Sequence, residues 1–458
     1  MRRLKLYLGV VFCLMPSLAM AAAEYSIDSA TYLRFQQYAA PGFDKKFQAP
    51  VTQYLTIDAK KIGVEGLSLH FNGWGDAIMG STLPDEDRYN GNLTYFYLDY
   101  RLPANNASVK AGRMFVFDGL ATEQIDGVSF RTDLPQGMTL SLFGGAPTKL
   151  DYKGGNKGDT IIGGRVSERY AGILEVGLST LYEGGIRTPI NNGTLDVASE
   201  GYTPPGSLRS YRQLIGWDLW LSPIKMVELN GHTFYDLASS GIAENSYLAT
   251  VRPMEKLSIS GDYTDQTPKN YYAATNLPSL FNPNEFGKLR RYGAVVTLTA
   301  TKAIEVSVDY HRYNREATGN SDRSGFDVRG AFDENKIKTG FSYHYVDGAN
   351  VAPVTSVLPN DSFSASPATR YNELRGYAMY DAHAYVVAFD GIAQLYNQSI
   401  NGVDTAFELL ASVGYRFTPH LLVSGDISYG QNPDNNNEVK GLIKVVYNFT
   451  TEAKGAHK

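Results

Sequence analysis

Cysteine is nearly missing from this chain: Cys13 is the only one in 458 residues. It lies inside an apolar N-terminal run. Disulfide frameworks, thiolate nucleophiles and cysteine metal sites are therefore excluded. Cys-x-x-Cys-His does not occur either, so covalent c-type haem is excluded with them. Long apolar helices are missing too: beyond the N-terminus no stretch approaches the roughly 18 apolar residues of a membrane-spanning helix. Charge of one sign is also lacking. The formal charge is −5, and leaving out Arg2, Arg3 and Lys5 takes it to −8. That mild acidity argues against nucleic acid as a partner. Gly-x-Ser-x-Gly and His-Glu-x-x-His are absent, and the seven histidines lie at no close metal-ligand spacing. The sequence therefore points to no enzyme, no cofactor and no metal centre.

What is present begins with a targeting segment. Arg2, Arg3 and Lys5 precede an apolar stretch from Leu6 to Ala19, closed by small residues at Ala21-Ala22-Ala23. This is the pattern of a secretory signal, so residues 1–23 are expected to be cleaved. The chain then holds 32 Tyr, 21 Phe and 45 Gly. Such aromatic wealth suits the interfacial girdles of a transmembrane barrel, and small residues suit a crowded lumen.

Period-two alternation runs from end to end. Ile304, Val306, Val308 and Tyr310 alternate with Glu305, Ser307, Asp309 and His311. Phe407, Leu409, Ala411, Val413 and Tyr415 alternate with Glu408, Leu410, Ser412, Gly414 and Arg416. Runs of about ten residues fit tilted strands crossing a bilayer. Short connections such as Leu134-Pro135-Gln136-Gly137 and Thr418-Pro419-His420 alternate with long ones near 77–91, 146–158, 183–207, 266–288, 314–324, 346–369 and 430–437. Segregated loop lengths are the mark of an outer-membrane barrel, with short turns facing the periplasm. The expectation is an all-β, antiparallel, up-and-down transmembrane barrel of about 22 strands, within 18–24, spanning residues 24–449. Residues 450–458 are expected to form a periplasmic tail. Gly441, Ile443, Val445, Tyr447 and Phe449 resemble the closing assembly signal of outer-membrane proteins, which makes the barrel assembly machinery and outer-membrane lipid expected partners.

A barrel this wide leaves a lumen that its own side chains cannot fill. The first alternating segment follows the expected cleavage site within a few residues, so no plug domain is expected. Alternation assigns the polar set to the pore: Arg113, Arg131, Arg165, Arg212, Asp218, Glu228, His232, Asp262, Glu305, Asp309, His311, Lys338, His344, Glu408, Arg416, Asp426 and Lys444. Opposed rows of acid and base would set a transverse field favouring small polar solutes. The alternative is that these groups pair with one another across strands. The aromatic, basic segment 270–292 is a candidate to fold inward as a constriction. The acidic, Asn-rich loop 430–437 offers oxygen ligands for calcium, though a solvated turn explains it as well.

Tyr97-Leu-Asp-Tyr-Arg101 through Val109-Lys-Ala-Gly-Arg113, with Gly127-Val-Ser-Phe-Arg131, resembles porin-like outer-membrane barrels of deltaproteobacterial type. The resemblance implies a channel for passive diffusion of small hydrophilic solutes. Some barrels of that group sheath a periplasmic multihaem cytochrome as an electron conduit, and this is the alternative the resemblance carries.

Overall fold

A computed structural model describes residues 24–38, 46–80, 87–102, 106–148, 160–184, 212–267, 288–316, 319–351, 370–400, 402–433 and 438–451. The expected signal peptide and most of the expected tail lie outside these residues. Twenty-two strands form one sheet. They are β1 (Glu24–Tyr38), β2 (Lys46–Lys60), β3 (Leu67–Gly80), β4 (Tyr89–Leu102), β5 (Ala107–Asp118), β6 (Ala121–Asp133) and β7 (Met138–Pro147). Then come β8 (Thr160–Tyr170), β9 (Leu174–Gly184), β10 (Arg212–Ile224), β11 (Val227–Asp236), β12 (Gly241–Met254), β13 (Leu257–Gln266), β14 (Leu289–Thr299) and β15 (Ile304–Arg315). The last are β16 (Gly319–Phe332), β17 (Ile337–Val351), β18 (Arg370–Asp381), β19 (Tyr385–Ile400), β20 (Val403–Thr418), β21 (Leu421–Gln431) and β22 (Glu438–Thr451).

Every strand pairs antiparallel with its sequence neighbours, and β1 pairs with β22 to close the ring. Closure leaves no free sheet edge around the ring, which a lipid environment demands because it offers backbone groups no hydrogen bonds. A strand of 14 residues, such as β3, tilted by about 40° rises roughly 35 Å, enough to cross an apolar band of about 25 Å. The large exposed apolar side chains alternate with polar ones and define the outer face: Phe96, Leu98, Val128, Leu178, Val308, Phe389, Val413 and Ile427 among them. β1 begins and β22 ends at the same mouth, since Tyr25 pairs with Thr451. There the turn residue Lys61 donates to Glu24 at 2.6 Å, and that carboxylate holds its ammonium pKa above the ordinary lysine value.

Strand boundaries depart from the alternation pattern where strands leave the lipid. The expected loop 314–324 is mostly strand: Asn314 pairs with Asn320 and Arg312 with Asp322. Likewise β17 runs to Val351 and β22 to Thr451, two residues past the expected end of the barrel. Beyond the bilayer nothing requires apolar residues on the outer face, so polar sequence continues the ladder unseen by a hydrophobicity pattern. Among the described residues there is no α-helix and no plug.

Candidate functional site: an inward hairpin and a charged inner wall

The site starts with a break in the wall. β5 pairs with β4 from Leu102–Ala107 up to Phe96–Arg113, and there the pairing stops. β6 stays with β7 as far as Ile125–Pro147. Above those points β5 and β6 pair only with each other, out to Asp118–Ala121. The departure falls at Gly112, paired with Gly127. Gly112 has φ +133, a conformation that side chains other than glycine's rarely permit. A Cβ there would overlap the carbonyl of Phe96 on β4, and one at Gly127 would overlap the backbone of Gly144 and Gly145 on β7.

The freed hairpin turns into the lumen and lies along the wall. Met114, Val116, Leu120, Ala121 and Ile125 pack with Phe143, Ile161, Leu181, Leu214, Phe234 and Ala243 in one buried cluster. The second group comes from six consecutive strands, β7 to β12. Each of the larger aliphatic side chains contributes roughly 1.5–3 kcal/mol when fully removed from water. Polar tethers complete the dock. Arg212 on β10 pairs with Glu123 on the hairpin and, at 2.9 Å, with Glu183 on β9. The amide of Leu120 donates to Ser179 Oγ at 3.3 Å.

The departure of β5 also frees carbonyls on β4. Arg113 donates to the Leu93 carbonyl at 3.3 Å, and Gln124 Nε2 to the Thr94 carbonyl at 2.5 Å. Arg113 is itself held by Asp126 through bonds of 2.7 and 2.8 Å. Side chains thus take over what the sheet ladder abandons. The hairpin's other face carries Phe115 and Phe117, stacked at 5.8 Å. Phe117 is 75% exposed. It lines an open recess of about 700 Å³ with Asp118, Arg131, Arg165, Glu175, Asp218 and His232.

Around the rest of the ring, charges pair across strands. Arg165 on β8 reaches Asp218 on β10 through bonds of 2.9 and 2.5 Å, over Gly177 of β9. His311 on β15 reaches Asp262 on β13 at 3.0 Å, over Gly293 of β14. His344 on β17 reaches Asp309 on β15 at 2.9 Å, over Gly325 of β16. Three times a glycine on the middle strand clears the space where a basic side chain and a carboxylate from its two neighbours meet. Such next-neighbour contacts form readily on a concave surface, which places these residues on the inner face.

The cross-strand register carries that inner face to the other expected pore residues. Arg131 pairs in register with Ser141, Glu228 with Thr250, His232 with Asp218, Lys338 with Met379, and Glu408 with Gly430. Glu228 accepts from Arg252 at 3.2 Å, Arg416 binds Asp381 at 2.8 Å, Ser412 donates to Asp426, and Lys444 stands 5.5 Å over the Tyr32 ring. Glu305, Lys338 and Glu408 have no ion pair among the described residues. Two expected pore residues stand elsewhere: Arg113 at the hinge of the hairpin, and Arg212, 4% exposed, buried between the hairpin and the wall. Among the described residues most of these charges are interleaved and paired rather than segregated into opposed rows of acid and base.

Several participants escaped sequence reasoning, among them Glu123, Glu183, Phe117, Arg291, Arg323 and Asp327. One signal was available. Met114-Phe115-Val116-Phe117 is apolar on both faces, although a strand between lipid and water should be apolar on only one. The candidate constriction 270–292 lies outside the described residues up to 287, and its Leu289–Tyr292 portion belongs to wall strand β14. Of the candidate calcium loop, residues 434–437 lie outside them, while Gly430 and Gln431 end wall strand β21.

No protein-family model and no curated relative matches the chain. Among solved structures, the chain is similar to the ferric enterobactin receptor PfeA of Pseudomonas aeruginosa, with 10% identity, 94% of this chain and 81% of that chain covered, and a TM-score of 0.57. It also aligns with the Pseudomonas aeruginosa proteins OccK7 (OpdD), at 12% identity over 95% of this chain and 100% of that one with a TM-score of 0.43, and OpdQ, at 10% identity over 94% and 99% with 0.42. The PfeA likeness agrees in fold with a wide outer-membrane barrel.

Proposed function

We propose that this chain is a porin-like channel of the Gram-negative outer membrane, passing small hydrophilic solutes or ions by passive diffusion. The observation that carries the reading is the inward hairpin. It occupies one side of a charge-lined lumen in which the described residues form no plug, and it leaves a polar recess open beside Phe117. A docked hairpin that narrows without sealing is what a size-selecting pore requires. Paired charges keep the wall hydrated without strong preference for either ion sign. The short turns and both chain ends face the periplasm in this reading, and assembly goes through the barrel assembly machinery.

Planar-bilayer recording of the purified barrel tests it. Steady single-channel steps are the expected result. A preparation that passes no current, and that carries a co-purifying c-type cytochrome, would overturn the channel and favour the electron-conduit sheath.

A further inference from the structure

We propose that Asp309, Asp327 and His344 form a binding site for a divalent transition-metal ion on the inner wall of the barrel. The three come from adjacent strands β15, β16 and β17. Asp309 and His344 both pair in register with Gly325, whose missing side chain opens the space between them. One potential ligand atom from each lies within 4.8 Å of the others. His344 Nε2 is 2.9 Å from Asp309 Oδ1 and 3.9 Å from Asp327 Oδ2. Ligands of a tetrahedral zinc-like ion stand about 3.3–3.5 Å apart, so small side-chain adjustments suffice.

Hydrogen bonding alone leaves this cluster unbalanced. Both carboxylates approach the same imidazole nitrogen, which carries at most one proton. Asp309 takes that contact. Asp327 is left with Ser307 Oγ at 3.5 Å as its nearest hydrogen-bond donor. Asp309 and His344 are only 8% and 3% exposed, whereas the Asp327 side chain is 26% exposed and keeps the cluster reachable from solvent. A divalent ion would satisfy all three groups at once, with two carboxylates and a neutral imidazole balancing its charge.

The surroundings fit that role. The second oxygen of Asp309 faces Arg323 at 3.2 Å and His311 Nδ1 at 3.4 Å, and His311 Nε2 is bound to Asp262 at 3.0 Å. Arg291 in turn pairs with Asp262 at 3.1 Å. Outer groups of this kind orient a ligating carboxylate. Arg323 also opposes an incoming cation, so the site is tuned by competition between a guanidinium and a metal. Oxygen and imidazole donors favour zinc, manganese, iron or cobalt over calcium. A fourth position stays open to water in the lumen.

The test uses the untagged, folded full-length barrel in detergent. Co²⁺ is titrated by its ligand-field absorption and Zn²⁺ by calorimetry. One saturable equivalent is expected. Asp327→Asn and His344→Gln should each weaken it by at least about tenfold, while His232→Gln leaves it unchanged. Arg323→Gln should tighten it. Circular dichroism establishes that each variant is folded, and Asp327→Asn preserves side-chain shape. Failure of the wild type to bind saturably, undiminished binding in both ligand variants, or weaker binding in Arg323→Gln would overturn the assignment.

Discussion

Arg212 on β10 and Glu123 on β6 form a buried ion pair between a wall strand and the tip region of the inward hairpin. Glu183 shares the same guanidinium at 2.9 Å. Replacing Glu123 with Ala therefore leaves Arg212 paired to Glu183 and removes one polar tether of the hairpin. Breaking a buried pair costs about 3–5 kcal/mol when a charge is stranded, and less when, as here, a partner remains. Glu123→Ala should keep the barrel folded and release the hairpin. Larger and noisier single-channel conductance is expected; an unchanged conductance would show that the hairpin does not limit the pore.

Leu120 is the large apolar anchor of the hairpin tip, 2% exposed. Leu120→Ala removes that contact at about 2–5 kcal/mol. Because the barrel ladder does not depend on it, the loss should appear locally. Limited proteolysis of the folded barrel should then cut within residues 113–126, where the wild type resists.

Phe117 projects into the recess without supporting the core. Phe117→Ala should leave thermal stability within about 0.5 kcal/mol of the wild type. It should also raise the largest sugar that permeates. Liposome-swelling assays with saccharides of increasing size check both the direction and the cutoff.

Gly177 lies beneath the Arg165–Asp218 pair, where an added Cβ would overlap both side chains. Gly177→Ala must push the pair apart or strain the wall, at a cost of about 1–3 kcal/mol. A lower unfolding temperature in detergent is expected. The same change at Gly425, which meets nothing within 4 Å, should be far milder.

The single cysteine of the full sequence lies in the expected signal, so the barrel itself offers a clean background for labelling. Asp426→Cys should react with a charged maleimide in intact membranes, because the residue faces the lumen. Val413→Cys, on the outer face and 58% exposed there, should react only after detergent extraction. Reversed reactivity would invert the assignment of faces.

Much of the fold was written locally. Alternation in β15, β17, β20 and β22 is strong because lipid on one side and water on the other impose opposite demands on successive residues. The number of strands follows from that contrast. Boundaries outside the bilayer were not legible, as Asn320–Asp322 shows, because there both faces are wet. The metal-binding cluster was equally hidden, since its ligands sit on three strands and no sequence spacing announces them.

The sequence by itself determined a closed antiparallel barrel and which face of each wall strand meets lipid, since those depend on each residue's own polarity and on a period of two. Only the tertiary structure decided what happens inside. Whether Met114 and Val116 face lipid or a lumenal wall depends on the turn of the backbone at Gly112 and on partners from β7 to β12, none of them near in sequence. The same holds for the charges: Arg165 finds Asp218, and His344 finds Asp309, because curvature and an intervening glycine bring next-neighbour strands together. Polarity is a property of one residue and can be read along the chain, whereas a constriction or a site is a meeting of several and exists only once the ring has closed.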